Sequence, residues 1–358
     1  MGEINNVVKK TALAGIAGIV ASGKAPAYAK DMKLKKIGVL GLGSHNFATR
    51  FKNPPDDYKK EVLAKPYAIW DDCQEAAKVA KGNIYEKVYK DPVKLAIDCD
   101  CIHIEHADYR KGLELAQLGL EQGKPTFLNR PFVAKIEDAE EIVRLAKRYN
   151  APLMSASSLE FGPDVTDMQE FLKENGPVRA YEAYGAEAHF TWHFPHVLNY
   201  AHAALGGGIK SVYFTGHFGI DMRKWRVEKE PVGTSLCVLT YTSREGQPPI
   251  IGMCHIGTYP TENGFHVDVY AAKENRNFVL KGKWDMNMFD KLNEFYSFGK
   301  VPRPYEAILE MHRTLVAANV SRLRGCAVNL DSLGGQDALP YSDGIRRYVL
   351  DRVLKRNT

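Results

Sequence analysis

The run His189-Phe-Thr-Trp192-His193-Phe-Pro-His196 packs imidazoles and aromatic rings into one short segment. A neutral imidazole can take a hydroxyl proton near neutral pH, where its unperturbed pKa lies. Aromatic faces stack on pyranose rings, and Trp and His add hydrogen bonds at their polar edges. His193 and His196 are one helical turn apart, so a helix begun by residue 193 carries both on one face. His196 is therefore the candidate base, His193 a second catalytic candidate and Trp192 a substrate contact. His189 and His202 read as structural or surface residues. As a metal site, the cluster would draw on His193, His196 and Glu160 or Glu187. No second His–carboxylate motif reinforces that reading, and no metal is assigned. In Ser155-Ala-Ser-Ser-Leu-Glu160, Ser157 and Glu160 can bond sugar hydroxyls or simply cap a turn. Tyr259 and His255, on a strand over 250–259, are expected to reach the pocket from below.

A second constellation suits a dinucleotide. Lys35-Lys-Ile-Gly-Val-Leu40 reads as a strand that enters Gly41-Leu-Gly43, followed by Ser44-His45-Asn46 and a helix. The first glycine permits a tight turn, and the second lets the backbone approach a pyrophosphate at the positive helix end. Asn46 stands where the usual third glycine would be. Pro66–Trp70 reads as the next strand and ends in Asp71-Asp72. An acidic residue there accepts ribose hydroxyls and repels a 2′-phosphate, favouring NAD over NADP. Asp71 follows Gly43 by more than the usual ~20 positions, and the Pro54-Pro55-Asp-Asp insertion accounts for the excess.

Further elements must hold these residues. Cys99–Glu105 reads as a strand ending near His106, and Tyr109–Gln122 as a helix with Leu113, Ala116 and Leu120 on its apolar face. Gly123–Leu128 is the next strand, ending at Asn129-Arg130-Pro131. Ala139, Ile142, Val143 and Ala146 mark the following helix, and Ala151–Ser155 closes the sheet. This alternation predicts an α/β fold with a doubly wound parallel sheet. Ligands then lie beyond the carboxyl ends of the strands. The expected cofactor set is Gly41, Gly43, Ser44, His45, Asn46, Asp71, His106, Asn129 and Arg130. Later, Val238, Thr240 and Thr242 alternate as a strand, Ile308, Met311 and Leu315 form a helix stripe, and Gly344–Lys355 reads as an amphipathic helix with no partner assigned.

A length of 358 residues suggests about two domains. The net charge of +5 includes no dense basic run, so nucleic acid is not an expected partner. The longest apolar stretch falls short of the roughly 18–20 residues of a membrane span. The six cysteines contain no CxxC pair, and Cys99, Cys101, Cys237 and Cys254 sit in apolar strand-like runs, as small buried hydrophobes do. Lys9-Lys10, the apolar Thr11–Val20 and Ala27-Tyr28-Ala29 match a signal peptide cleaved after Ala29. The expectation is export to a periplasmic or extracellular location, with a cytoplasmic protein as runner-up. Expected domains are the signal peptide at 1–29, an NAD-binding domain at 33–155 and a substrate and oligomerisation domain at 156–358.

Over roughly residues 33–330 the chain resembles the glucose-fructose oxidoreductase/inositol dehydrogenase (Gfo/Idh/MocA) family. The resemblance rests on Gly41-Leu-Gly43, the Asp71 strand end and Gly123-Lys-Pro-Thr-Phe-Leu-Asn-Arg-Pro131, where the family has G-K-x-V-x-x-E-K-P. It continues through His196…Leu205-Gly-Gly-Gly-Ile-Lys-Ser-Val212, Phe265–Lys273 and Pro304–Glu310. It implies a Rossmann domain and a C-terminal α/β domain on an open, mostly antiparallel sheet that often mediates homo-oligomers. It also implies hydride transfer between NAD(P) and a sugar or polyol hydroxyl. The family's Lys is Arg130 here, the preceding Glu is Asn129, and the Asp of D-x-x-x-H is Trp192. Arginine keeps its proton near neutral pH but can polarise an oxygen. The expected function is an NAD-dependent oxidoreductase acting on a sugar, polyol or glycoside hydroxyl. The alternatives are a redox-assisted lyase or glycosidase, and a non-catalytic nucleotide-binding protein.

Overall fold

The computed structural model describes residues 33–43, 47–185, 189–217, 233–243, 249–257 and 264–355. The expected signal peptide, Ser44, His45, Asn46, Glu187 and Tyr259 lie outside the described residues. The chain divides at Leu34, and both sheets belong to the unit Lys35–Thr358.

The first sheet is parallel throughout, in the order β3-β2-β1-β4-β5-β6. Its strands are β1 (Lys35–Leu40), β2 (Ala64–Trp70), β3 (Lys87–Val88), β4 (Cys101–Ile104), β5 (Thr126–Leu128) and β6 (Leu153–Met154). Helices α1 (Gln74–Lys81), α2 (Pro92–Asp98), α3 (Gly112–Leu120) and α4 (Ile136–Arg148) connect them. Ile37, Val39 and Leu40 of β1 are fully buried, as a strand covered on both faces requires. Several boundaries differ from the sequence reading, two of them next to the site. Cys99 caps α2, so β4 begins at Cys101, and α3 begins at Gly112 after a 3-10 turn, Tyr109–Lys111.

Register fixes the position of the chemistry. Leu40 pairs with Trp70 on one side and Ile104 on the other, and Ile104 pairs with Leu128. Four strands thus end level, placing Gly41, Asp71, Glu105 and Asn129 along one edge of the sheet. This is the order and the edge at which dinucleotide folds bind their ligands.

The second sheet runs β12-β11-β7-β10-β9-β8-β13 and is antiparallel except where β7 meets β10. Its strands are β7 (Val178–Gly185), β8 (Ile209–Gly216), β9 (Ser235–Tyr241), β10 (Ile251–Ile256), β11 (His266–Ala271), β12 (Asn275–Val279) and β13 (Val328–Asn329). Burial alternates along β7, β9, β10 and β11, so one face is core. Among the described residues, the remaining α-helices are α5 (Pro163–Asn175), α6 (Phe190–Leu205), α7 (Trp284–Phe298), α8 (Tyr305–Arg324) and α9 (Asp343–Leu354). Cys254 and Ile256 point into the core, so His255 points to the opposite face, stacked on Tyr184 at 4.4 Å. His255 therefore does not reach the pocket from below. The tail helix expected from the sequence is α9, and it turns back onto α1 of the first layer.

His312 of α8 also ties the layers together. It is 2% exposed, and its Nε2 donates to the carbonyl of Lys135, 3.1 Å away, just before α4. Burial pushes its pKa from 6.5 down to about 4. The unfolded chain takes up this proton near 6.5 and the folded chain only near 4. The stability linked to it is present above 6.5 and lost as pH falls toward 4. The loss amounts to at most about 3 kcal/mol. The His312→Gln variant keeps the donor and does not titrate. Its urea midpoint should fall less steeply than wild type across that window, and identical slopes would contradict the assignment.

Candidate active site

Beyond β5 the chain turns through Asn129-Arg130-Pro131, and Arg130 reaches His196 on α6. Its Nε lies 3.0 Å from His196 Nε2, and its Nη2 also contacts that nitrogen. A guanidinium can only donate, so Nε2 is the acceptor and the ring proton sits on Nδ1. Ser157 Oγ stands 2.7 Å from Nδ1 and receives that proton's hydrogen bond. The base expected from sequence is thus held from both sides. Burial pushes the Arg130 guanidinium down to about 10, opposed by the carboxylates of Glu105, Glu160 and Asp285, so it stays charged near neutrality.

A hydrogen-bonded chain runs behind Arg130. Asn129 Oδ1 accepts from the Arg130 backbone N–H at 2.9 Å and from Nη1 at 3.1 Å. Asn129 Nδ2 donates to Glu105 Oε1 at 2.8 Å. Glu105 Oε2 lies 3.1 Å from His103 Nε2, and His103 Nδ1 lies 2.7 Å from the Tyr296 hydroxyl on α7. Glu105 and His103 are buried, so this chain places a carboxylate behind the guanidinium where water is scarce.

His196 and Arg130 line an open cavity of about 500 Å³, together with Phe265, Trp284, Leu280 and Phe47. Arg50 and Asp285, paired at 2.8 Å, also line it. Its size suits a small ligand, and its walls mix aromatic faces with a few charged groups.

At the other end of the crevice, Gly41 has φ +91°, and a Cβ there would stand 2.5 Å from His106 Cα. A Cβ on Gly43 would stand 2.4 Å from the Glu105 carbonyl oxygen. Both positions require glycine. Asp71 is fully buried, and its Oδ2 accepts from Arg346 Nη1 at 3.0 Å. Its Oδ1 accepts from Cys73 N at 2.8 Å and from Arg346 Nη2. Burial raises the Asp71 pKa, and Arg346 opposes that rise. The His106 imidazole, Lys111 and Arg346 hold the Asp72 carboxyl well below the usual range. The turn geometry and the paired carboxylates suit a dinucleotide, with Asp71 already engaged by α9.

The remaining predicted residues divide. His106 Nε2 lies 3.4 Å from Asp72, inside the predicted nucleotide edge. Trp192 packs 6.3 Å from Tyr348 of α9 and helps bound a cavity of about 30 Å³ with Gly43, Glu105 and Asn129. That is room for about one water. Its indole is a crevice wall rather than a wall of the larger cavity. His193 stands 6.3 Å edge-on to His189. Ser157 and Glu160 follow the turn-capping alternative, forming a capping box on Ser158–Phe161 instead of facing sugar hydroxyls. Ser157 supports His196, and its Oγ also accepts from Leu159 N at 3.3 Å. Glu160 Oε1 accepts from Ser157 N at 2.5 Å, and Oε2 pairs with Arg303. Glu160 is engaged at both oxygens and does not line the cavity of His196. Among the described residues, the His/Cys/Asp/Glu group close enough to share an ion is Asp71, Asp72 and His106, which Arg346 and Lys111 already neutralise. Sequence reasoning missed Glu105, His103, Tyr296, Arg303 and Arg346. Only Glu105 carried a signal, as the last residue of a predicted strand.

Residues 35–157 match the model of an oxidoreductase family with an NAD-binding Rossmann fold, Gfo/Idh/MocA. No curated protein matches by sequence. Among solved structures, scyllo-inositol dehydrogenase from Lactobacillus casei with bound NAD(H) and scyllo-inositol is 14% identical, with a TM-score of 0.68 over 84% of this chain and 100% of that one. Myo-inositol dehydrogenase from Lactobacillus casei, with NAD(H) and myo-inositol, is 17% identical, with a TM-score of 0.68 over 84% and 98%. A probable dehydrogenase from Thermotoga maritima is 17% identical, with a TM-score of 0.66 over 84% and 100%. At these identities the likeness is one of fold.

The Glu160–Arg303 pair generates a stability prediction, because Glu160 has no exposed side-chain surface. Arg303→Met leaves a buried carboxylate unpaired and should cost about 3–5 kcal/mol in urea unfolding. The Arg303→Met/Glu160→Gln double variant should recover at least half of that loss. Equal losses in the single and double variants would contradict the pairing.

Proposed function

We propose, from the match of residues 35–157 to the Gfo/Idh/MocA oxidoreductase family, that the chain oxidises a ring hydroxyl of a sugar or polyol. The carrying observation is His196, its Nε2 lone pair directed at Arg130 and its Nδ1 braced by Ser157, on the wall of a cavity of about 500 Å³. Gly41, Gly43 and Asp71 would hold NAD, with His106 and Asn129 along its path. Bound NAD supplies the hydride acceptor.

The protein's own part follows from the geometry. A substrate hydroxyl enters between Arg130 and His196, replacing their direct contact. His196 Nε2 takes the hydroxyl proton, and Ser157 Oγ keeps the ring from turning as the imidazolium forms. Arg130, unable to act as a base, stabilises negative charge developing on the oxygen. Glu105, acting through Asn129, holds the guanidinium in place. Phe265 and Trp284 offer faces to a sugar ring.

Two wider proposals accompany this one. The charged, apolar and Ala-x-Ala parts of residues 1–29 support export, and the change from a parallel sheet ending at Met154 to a mostly antiparallel one beginning at Val178 supports a domain plan of 33–155 and 156–358. Exposed Tyr213 and Ile251 on the outer face of the second sheet support a homo-oligomer. One observation favours a second functional reading, nucleotide binding without turnover: Trp192 and Arg346 both stand in the crevice.

The purified protein should reduce NAD when offered a panel of inositols, hexoses and methyl glycosides, read as NADH absorbance. His196→Ala should lower that rate by about 10²–10⁴-fold. No turnover with any panel member, or equal rates in the variant, would contradict the oxidoreductase proposal. NADH binding without turnover would favour the second reading.

A further inference from the structure

Asp71 is where a dinucleotide fold decides between NAD and NADP. A bare carboxylate there accepts the two ribose hydroxyls and repels a 2′-phosphate. This carboxylate is not bare. Helix α9, 275 residues further along the chain, sets Arg346 across it. The side chain of Arg346 is 13% exposed and that of Asp71 is fully buried. Nη1 bonds Oδ2 of Asp71, while Nη2 bonds Oδ1 of Asp71 and Oδ1 of Asp72. Tyr348, two residues on, packs against Trp192 and helps seat the helix there.

We infer that Arg346 is a selectivity residue for the dinucleotide, weakening NAD(H) and admitting the 2′-phosphate of NADP(H). The inference rests on the proposal that this crevice binds a dinucleotide.

The hydrogen-bond arithmetic gives the first half. A carboxylate oxygen offers two acceptor positions. Both positions on Asp71 Oδ1 are taken, by Cys73 N and Arg346 Nη2, and one on Oδ2 is taken by Arg346 Nη1. One acceptor remains for two ribose hydroxyls, so NAD(H) gains less here than at a bare aspartate. Charge gives the second half. Asp71 and Asp72 are balanced by Arg346 and by Lys111, which lies 2.6 Å from Asp72. The repulsion that would exclude a 2′-phosphate is neutralised. Arg346 spends three of its five N–H groups on carboxylates, leaving donors that a phosphate oxygen can share. The ribose hydroxyls of NAD(H) compete with the guanidinium, whereas the 2′-phosphate recruits it.

The test titrates the full-length wild type, Arg346→Gln and Arg346→Lys with NADH and with NADPH, following nicotinamide fluorescence. Arg346→Gln should tighten NADH and weaken NADPH, widening the NADH-over-NADPH preference by about tenfold or more. Arg346→Lys keeps the charge but loses the planar fork that reaches Asp71 and Asp72 together, so it should shift the ratio the same way by about threefold. A purely structural role would move both affinities together and leave the ratio fixed. A fixed ratio, or a shift toward NADPH, overturns the inference. If Arg346→Gln does not fold, Arg346→Lys decides by the same criterion. Failure of wild type and variants alike to bind either nucleotide overturns the dinucleotide proposal, and the inference with it.

Discussion

The contact between the Arg130 guanidinium and His196 Nε2 joins the two layers of the molecule where chemistry is available. Arg130 leaves the end of a parallel strand, and His196 rides a helix packed on the other sheet. The donor is permanently charged and has no lone pair, so it dictates the state of the ring. Nε2 must accept, Nδ1 must carry the proton, and Ser157 must receive it. Without that contact, the geometry would not decide which ring nitrogen of His196 carries the proton. With it, the ring is fixed as a base facing the cavity, with its acceptor nitrogen filled by a group that a substrate oxygen can replace.

The surroundings compensate for the residues that depart from the family pattern. Where the resembled pattern has lysine beside glutamate, this chain has Arg130 beside Asn129. The carboxylate reappears as Glu105 from the neighbouring strand, connected through the Asn129 amide. The missing aspartate of the histidine motif is Trp192, which turns toward the nucleotide crevice and α9. The same economy applies to Glu160. It caps its own turn, neutralises Arg303 and so steadies the segment carrying Ser157. Polar groups that looked like ligands from sequence are spent on holding the ligands' partners.

What the sequence made legible was local. The strand entering Gly41, the 3.6-residue stripe of α4, the acidic end of β2 and the tail helix all follow from periodicity and turn chemistry within short windows. His196 and Arg130 were identified from motif position, and the structure brings them together. Long-range partners were not legible. Arg303 meets Glu160 across 143 residues, His103 meets Tyr296 across 193, and Arg346 meets Asp71 across 275. No spacing rule connects such pairs. The orientation of His255 was within reach, since strand alternation opposite Cys254 and Ile256 puts it on the outer face. The choice between the sugar-binding and turn-capping readings of Ser157 and Glu160 was not legible, because a hydroxyl or carboxylate does not declare which neighbour will claim it.

The most direct test of the account is the protonation pattern of the His196 ring in nucleotide-free protein, read from imidazole ¹⁵N shifts assigned against His196→Gln. The geometry predicts a protonated Nδ1 and an unprotonated Nε2 near neutral pH, with the Nε2 signal displaced in Arg130→Met. A proton on Nε2, or an Nε2 signal indifferent to Arg130→Met, would contradict it.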